Sequence, residues 1–168
     1  IEIRSKLPAA QAAGRTPDGQ LQLGFDLRRS GRLRTRLTSG EEVSVVLPRG
    51  EMLRGGDLLA AADGRVIRVL AEPESLLHVE CESCAALARI AYRLGNRHVP
   101  IEVGERSLRM AADHDLAALL EALGARVARI EAPFDPDVDA ADEGHTHHHH
   151  GDAGHGHDHP HRHGHGHG

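Results

Sequence analysis

Apolar residues alternate with polar ones in short runs through the first part of the chain, take up a helical rhythm near residue 84, and almost vanish after residue 143. Alternation over 1–7, 21–27, 32–37, 42–47 and 65–70 predicts strands, because side chains on a strand point to opposite faces in turn. Asp18-Gly19, Ser39-Gly40, Pro48-Arg49-Gly50 and Asp63-Gly64 separate these runs and read as turns. Short strands joined in this way predict a small all-β sandwich over residues 1–72.

Over 73–137 the rhythm changes. A strand at 76–81 leads into a helix carrying Cys84, Leu87, Ala88, Ala91 and Leu94 at helical spacing, and Gly95-Asn96 is expected to stop it, the glycine supplying the left-handed residue that closes a helix. Strands at 99–103 and 107–111 follow around Gly104. Asp113 is placed to cap a second helix with Leu116, Leu119, Leu120 and Leu123 on one face, ended by Gly124, and 125–130 returns as a strand. The order βαββαβ is the ferredoxin-like arrangement, so the fold class is α+β in two domains.

Residues 138–168 form a third segment that holds twelve of the fifteen histidines, spaced mainly by Gly and Asp. Such a composition buries too little apolar surface to fold, which predicts a disordered His-rich tail. The run of four at His147–His150 is shorter than the alternation around it, which favours a native segment over an expression tag.

Charge and composition narrow the partners. A net charge of -5 offers no attraction to phosphate backbones or anionic membranes, and three aromatic residues (Phe25, Tyr92 and Phe134) give no base-stacking platform. No apolar run approaches the roughly 20 residues that span a bilayer, and residues 1–6 lack the features of a signal peptide. A cytoplasmic protein without nucleic-acid or membrane partners is expected. Two cysteines, Cys81 and Cys84, fit a reducing compartment.

The chemistry rests on imidazole, whose nitrogens bind Ni2+, Zn2+ and Cu2+ at neutral pH. The tail ligands are His145, His147, His148, His149, His150, His155, His157, His159, His161, His163, His165 and His167. Without fixed geometry they suit gathering or handing over ions rather than catalysis. His98 sits between a helix end and a strand. One imidazole makes no metal site, so a hydrogen-bonded structural role is the first reading, and a two-fold contact that brings two copies together is the second. Cys81-Glu82-Ser83-Cys84 reads first as buried packing, with Cys84 on the apolar helix face, and second as a soft metal site with His78. His114 is either a further ligand or an exposed first-turn residue. Arg32, Arg34 and Arg36 share one strand face, which is either solvated or a docking surface for an acidic partner. No nucleophile with a partnered base, phosphate loop of the GxxxxGK[ST] type or HExxH pair is present, and an enzyme is not expected.

With these residues in view the chain resembles the UreE urease accessory protein family. The resemblance is carried by Arg36-Leu37-Thr38-Ser39-Gly40-Glu41-Glu42, Val46-Leu47-Pro48-Arg49-Gly50, Leu53-Arg54-Gly55-Gly56-Asp57, Asp63-Gly64, Val66-Ile67-Arg68-Val69 and above all Leu94-Gly95-Asn96-Arg97-His98-Val99-Pro100. It implies a peptide-binding β domain, a ferredoxin-like metal-binding and dimerisation domain, and a homodimer holding nickel between two copies of His98 with help from the terminal histidines. It also implies delivery of Ni2+ to the urease apoenzyme complex with the GTPase UreG. Arg93 stands where many relatives carry a further histidine. The alternative is a nickel or zinc store without a dedicated client, and a third account is a general polypeptide-binding module.

Overall fold

The computed structural model describes residues 1–137, and the tail histidines lie outside the described residues. The first domain contains β1 (Glu2–Lys6), α1 (Ala9–Ala12), β2 (Gly19–Leu23), α2 (Phe25–Arg29), β3 (Arg32–Arg36), β4 (Glu42–Val46), β5 (Leu58–Ala61) and β6 (Val66–Ala71). The second contains β7 (Pro73–Glu80), α3 (Cys84–Gly95), β8 (Glu102–Val103), β9 (Ser107–Ala111), α4 (His114–Ala122) and β10 (Arg126–Pro133).

The first six strands form one sheet in the order β2-β6-β5-β1-β4-β3, with β1/β4 and β2/β6 parallel and the other neighbours antiparallel. A two-sheet sandwich was expected, whereas here one sheet curls until its ends approach. Thr38, just past β3, donates its backbone N–H to the Gln20 carbonyl of β2 at 2.9 Å. Curling gives the sheet a single interior, filled by Ile3, Leu21, Val45, Leu53, Leu59 and Ile67, each fully buried. Alternation supplies these residues, since Val43 and Val45 point inward while Glu42, Ser44 and Val46 stay more exposed.

Two departures from the expected elements have local causes. The run 21–27 is strand only to Leu23, because Gly24 turns the chain and Phe25–Arg29 winds into α2 to bury Phe25 and Arg28. The expected strand at 99–103 shrinks to Glu102–Val103, because 96–99 are used in closing α3.

In the second domain the strand order is β10-β7-β9-β8, all antiparallel, with α3 connecting β7 to β8 and α4 connecting β9 to β10. Leu77, Val79, Leu108 and Met110 on one sheet face meet Ile90 and Leu94 of α3 and Leu120 of α4. Ser83 caps α3 through its Oγ, which accepts from Ala86 N at 3.2 Å, and Asp113 caps α4 by accepting from Leu116 N at 2.8 Å.

The domains meet across a small apolar seam of Phe25, Met52, Leu76 and Phe134. The Phe25 and Phe134 rings stand edge to face with centroids 5.2 Å apart. Beside them Arg28 is fully buried, donating to the Leu23 carbonyl at 3.2 Å, to the Asp135 carboxylate at 3.1 Å and to the Phe134 carbonyl. Arg54 reaches the same Asp135 oxygen at 3.2 Å. A buried guanidinium is tolerable only when its N–H groups are occupied in this way.

Candidate metal centre

α3 ends in a turn that accounts for where His98 sits. His98 N donates to the Gly95 carbonyl at 2.9 Å and Val99 N donates back to the Leu94 carbonyl at 3.1 Å. These are the two bonds of a Schellman closure, whose penultimate residue must be left-handed. That residue is His98, at φ 54, the one non-glycine with positive φ among the described residues. Gly95 was expected to take this role and does not, because the helix runs one more turn before closing. A left-handed non-glycine residue costs about 1–2 kcal/mol, and such strain persists where the surrounding structure imposes it. Leu94 supplies the anchor, buried in the domain core. The imidazole is exposed.

The chain leaves the described region beside this corner. Asp137 N donates to the Ile101 carbonyl at 2.9 Å, and Asp135 N donates to the Glu102 carboxylate at 2.9 Å. Arg28 and Arg54 hold the same strap from the first domain. The root of the histidine-rich segment is therefore fastened three residues from His98 in sequence terms, against the strand that His98 leads into.

The other candidate ligands are scattered. His114 opens α4 with its side chain 90% exposed and its Nδ1 3.7 Å from the Asp115 carboxylate. His78 lies on the helix-free face of β7, with Nε2 3.7 Å from Glu80 and a buried Nδ1 that has no hydrogen-bond partner. Of the two cysteines, Cys84 does not take the buried place expected of it on the apolar helix face. Cys81 is buried in the core, where burial pushes its thiol pKa up, while Cys84 in the first turn of α3 is exposed. The packed stripe of α3 is Leu87, Ile90, Ala91 and Leu94, so Cys84 overhangs the sheet instead of lying on it. Among the described residues no group of three or more His, Cys, Asp or Glu side chains is placed to hold a metal ion. The structure does not bring His78, Cys81 and Cys84 together as a site.

Comparison with known proteins matches both halves of the chain. Residues 3–72 match the model of the UreE urease accessory protein N-terminal domain, and residues 74–167 match that of the C-terminal domain. The chain belongs to the UreE urease accessory protein family. Urease accessory protein UreE of Ectopseudomonas mendocina (strain ymp) is 48% identical over 138 residues, 82% of this chain and 81% of that protein. The UreE of Azotobacter vinelandii (strain DJ / ATCC BAA-1303) is 47% identical over 129 residues, 76% of this chain and 78% of that protein. That of Paraburkholderia xenovorans (strain LB400) is 48% identical over 125 residues, 74% of this chain but only 56% of that protein's length.

Membership in the UreE family gives the chain a role in urease maturation. Among the described residues no helix is long and apolar enough to cross a membrane. The sequence singled out His98 from its neighbours, but nothing in the pattern marked its left-handed backbone. Tyr92 was also overlooked as a surface feature. It is 70% exposed and lies one and two helical turns beyond the exposed Ala88 and Cys84, on the stripe of α3 that the sheet leaves uncovered.

Proposed function

We propose that this UreE chain is a cytoplasmic nickel metallochaperone, a binding protein rather than an enzyme, that acts as a homodimer and passes Ni2+ to the urease apoprotein with the GTPase UreG as partner. The observation that carries the reading is His98, held outward at a strained helix end beside an uncovered helix face. One imidazole cannot retain a metal, but a two-fold contact along the Cys84, Ala88 and Tyr92 stripe would pair two copies of His98 near the axis. Tail histidines, starting eight residues beyond the fastened Asp137, then complete the coordination or relay the ion. Imidazole also accepts Zn2+ and Cu2+, so the preference for nickel comes from the geometry of the shared site. The strand order β10-β7-β9-β8 with two helical crossovers supports a ferredoxin-like reading of the metal-binding domain. The β domain is read as the peptide-binding unit. His114, Cys84, Cys81 and His78 are at most accessory ligands, each lacking neighbours in the single chain.

A chain ending at Glu143 should bind about one nickel ion per two chains in calorimetric titration, as a ligand shared across a two-fold axis requires. His98→Ala should abolish that binding while sedimentation still shows dimers. Loss of all binding on truncation would instead favour nickel or zinc storage, the reading that the twelve tail histidines support.

A further inference from the structure

The free edge of β3 is where the first domain is open to an added strand. β3 pairs only with β4, and the phase of that ladder decides which backbone groups are used. Leu47 N donates to the Gly31 carbonyl at 2.7 Å and Leu37 N to the Glu41 carbonyl at 2.9 Å, so the odd-numbered residues of β3 bond to β4. Ser44 N turns the other way, to the Ile1 carbonyl at 2.9 Å, which agrees with that phase. The N–H and C=O groups of Arg32, Arg34 and Arg36 therefore point away from the sheet. Of these the Arg32 carbonyl accepts from the Ser30 hydroxyl at 2.8 Å.

The same three residues carry their guanidinium groups on the outer face. Arg36 is tied to Glu42 at 2.5 Å, and its cross-strand position opposite Glu42 explains the pairing. Arg32 and Arg34 face Val46 and Ser44 across the ladder and make no side-chain hydrogen bond or ion pair among the described residues. Between them Leu33 and Thr35 point inward and are only partly buried, Leu33 resting on the core. An exposed strand edge of this kind normally invites pairing.

We propose that β3 receives an extended, acidic polypeptide segment as an additional strand, its carboxylates opposite Arg32 and Arg34 and its apolar residues between them covering Leu33. Backbone pairing supplies affinity in this mode and alternate side chains supply specificity. A second copy of β3 is the wrong occupant, because antiparallel pairing centred on Arg34 sets arginine against arginine. The segment is short, since the Thr38 to Gln20 bond closes the slot at the end of the strand. The inference rests on the reading of the β domain as the peptide-binding unit and is independent of the metal.

The test uses the full chain in chelator with a fluorescein-labelled hexapeptide of alternating Glu and Val, read by anisotropy. Saturable binding is expected, weakening with salt, reduced at least about tenfold by R32E/R34E and absent for the matching Lys/Val peptide. Arg34→Pro removes an outward N–H together with the Arg34 guanidinium, neither of which serves the β3–β4 ladder, so it should leave the thermal midpoint nearly unchanged and weaken binding clearly more than Arg34→Ala, which removes the guanidinium alone. If that variant does not fold, the peptide N-methylated at alternate residues serves instead, and it should fail to bind. Acidic-peptide binding that survives Arg34→Pro or N-methylation overturns the strand-edge assignment but keeps a peptide-binding domain. Failure of acidic, basic and apolar peptides alike removes both. Equal binding of an oligonucleotide of matched charge overturns the assignment, as does a change of oligomeric state in Arg34→Pro, which would make β3 a contact between copies.

Discussion

The two helices of the second domain end in the same hydrogen-bonded motif but close it with different residues. At α4, Gly124 at φ 83 donates to the Glu121 carbonyl at 2.9 Å and Ala125 donates to the Leu120 carbonyl at 3.1 Å. At α3 the equivalent bonds come from His98 and Val99. Leu120 and Leu94, the residues that receive the longer bond, are both anchored in the core. Only the left-handed residue differs. Glycine takes that conformation without steric cost, whereas histidine takes it with strain. The α4 end closes without strain, whereas the α3 end gives up stability and leaves an imidazole at the protein surface. The difference sets His98 apart from His114, which is also exposed but sits in ordinary helical backbone.

Exchanging the residues is the strongest way to break the comparison. Gly124→Val should destabilise the protein by about 2 kcal/mol, since a β-branched side chain is least tolerant of positive φ. A Cβ at Gly124 meets nothing within 4 Å, so the loss would come from the backbone and not from a clash. A chemical-denaturation midpoint that does not move would show that α4 can close in another way. His98→Gly should do the opposite, raising stability by about 1 kcal/mol, or several degrees in thermal midpoint, while the shared nickel site proposed above should be lost. A fall in midpoint would mean that the histidine makes stabilising contacts, in a dimer for example, that outweigh its strain.

The N-terminal ends of the same helices provide the control. Ser83→Ala and Asp113→Ala should each cost about 1 kcal/mol and, within a few tenths, the same amount, since both caps serve one backbone N–H. A large inequality in urea melts would show that the two helices differ along their whole length and not only at one end. The smallest effect should come from Arg65→Gln in the first domain. Arg65 bonds Glu41 and Asp63 and holds both carboxyls below their ordinary range. Groups with depressed folded pKa values stabilise above the unfolded carboxylate range of about 4 and lose that contribution as pH falls through the folded values. The variant should therefore show a slightly shallower acid limb, with both carboxyl titrations moving up in NMR. These groups are partly exposed and screened by solvent, so the effect is small, and they lie in the first domain, so no measurable change at the α3 end is expected.

How much of this was legible in the sequence varied with the range of the interactions involved. Asp113 and Gly124 bracketed α4 correctly, because capping depends on neighbours within a few residues. Gly40, Gly50 and Gly64 fell in the predicted turns and all have positive φ. By contrast the first half of α2, Phe25–Leu27, falls within the strand that alternation predicts, because what pulls Phe25 and Arg28 into a helix is Phe134 and Asp135, about a hundred residues away. β5 has only four residues, too few to show a period. Gly95 drew the closure of α3 too early, since its residue type fits the role but the packing of Leu94 carries the turn on to His98.

By itself the sequence determined the succession of elements in the second domain, the abundance of imidazole after residue 143, and the family to which the chain belongs. These follow from local periodicity, turn chemistry and composition, all of which are written within short windows. Tertiary structure alone decided that the first sheet is continuous and curls on itself, that Arg28 is buried against the root of the tail, and that β3 keeps a free edge. It also decided that His98 carries the left-handed strain. Each of these depends on contacts between segments distant in the chain, where burial of apolar surface and the pairing of buried polar groups outweigh local preference.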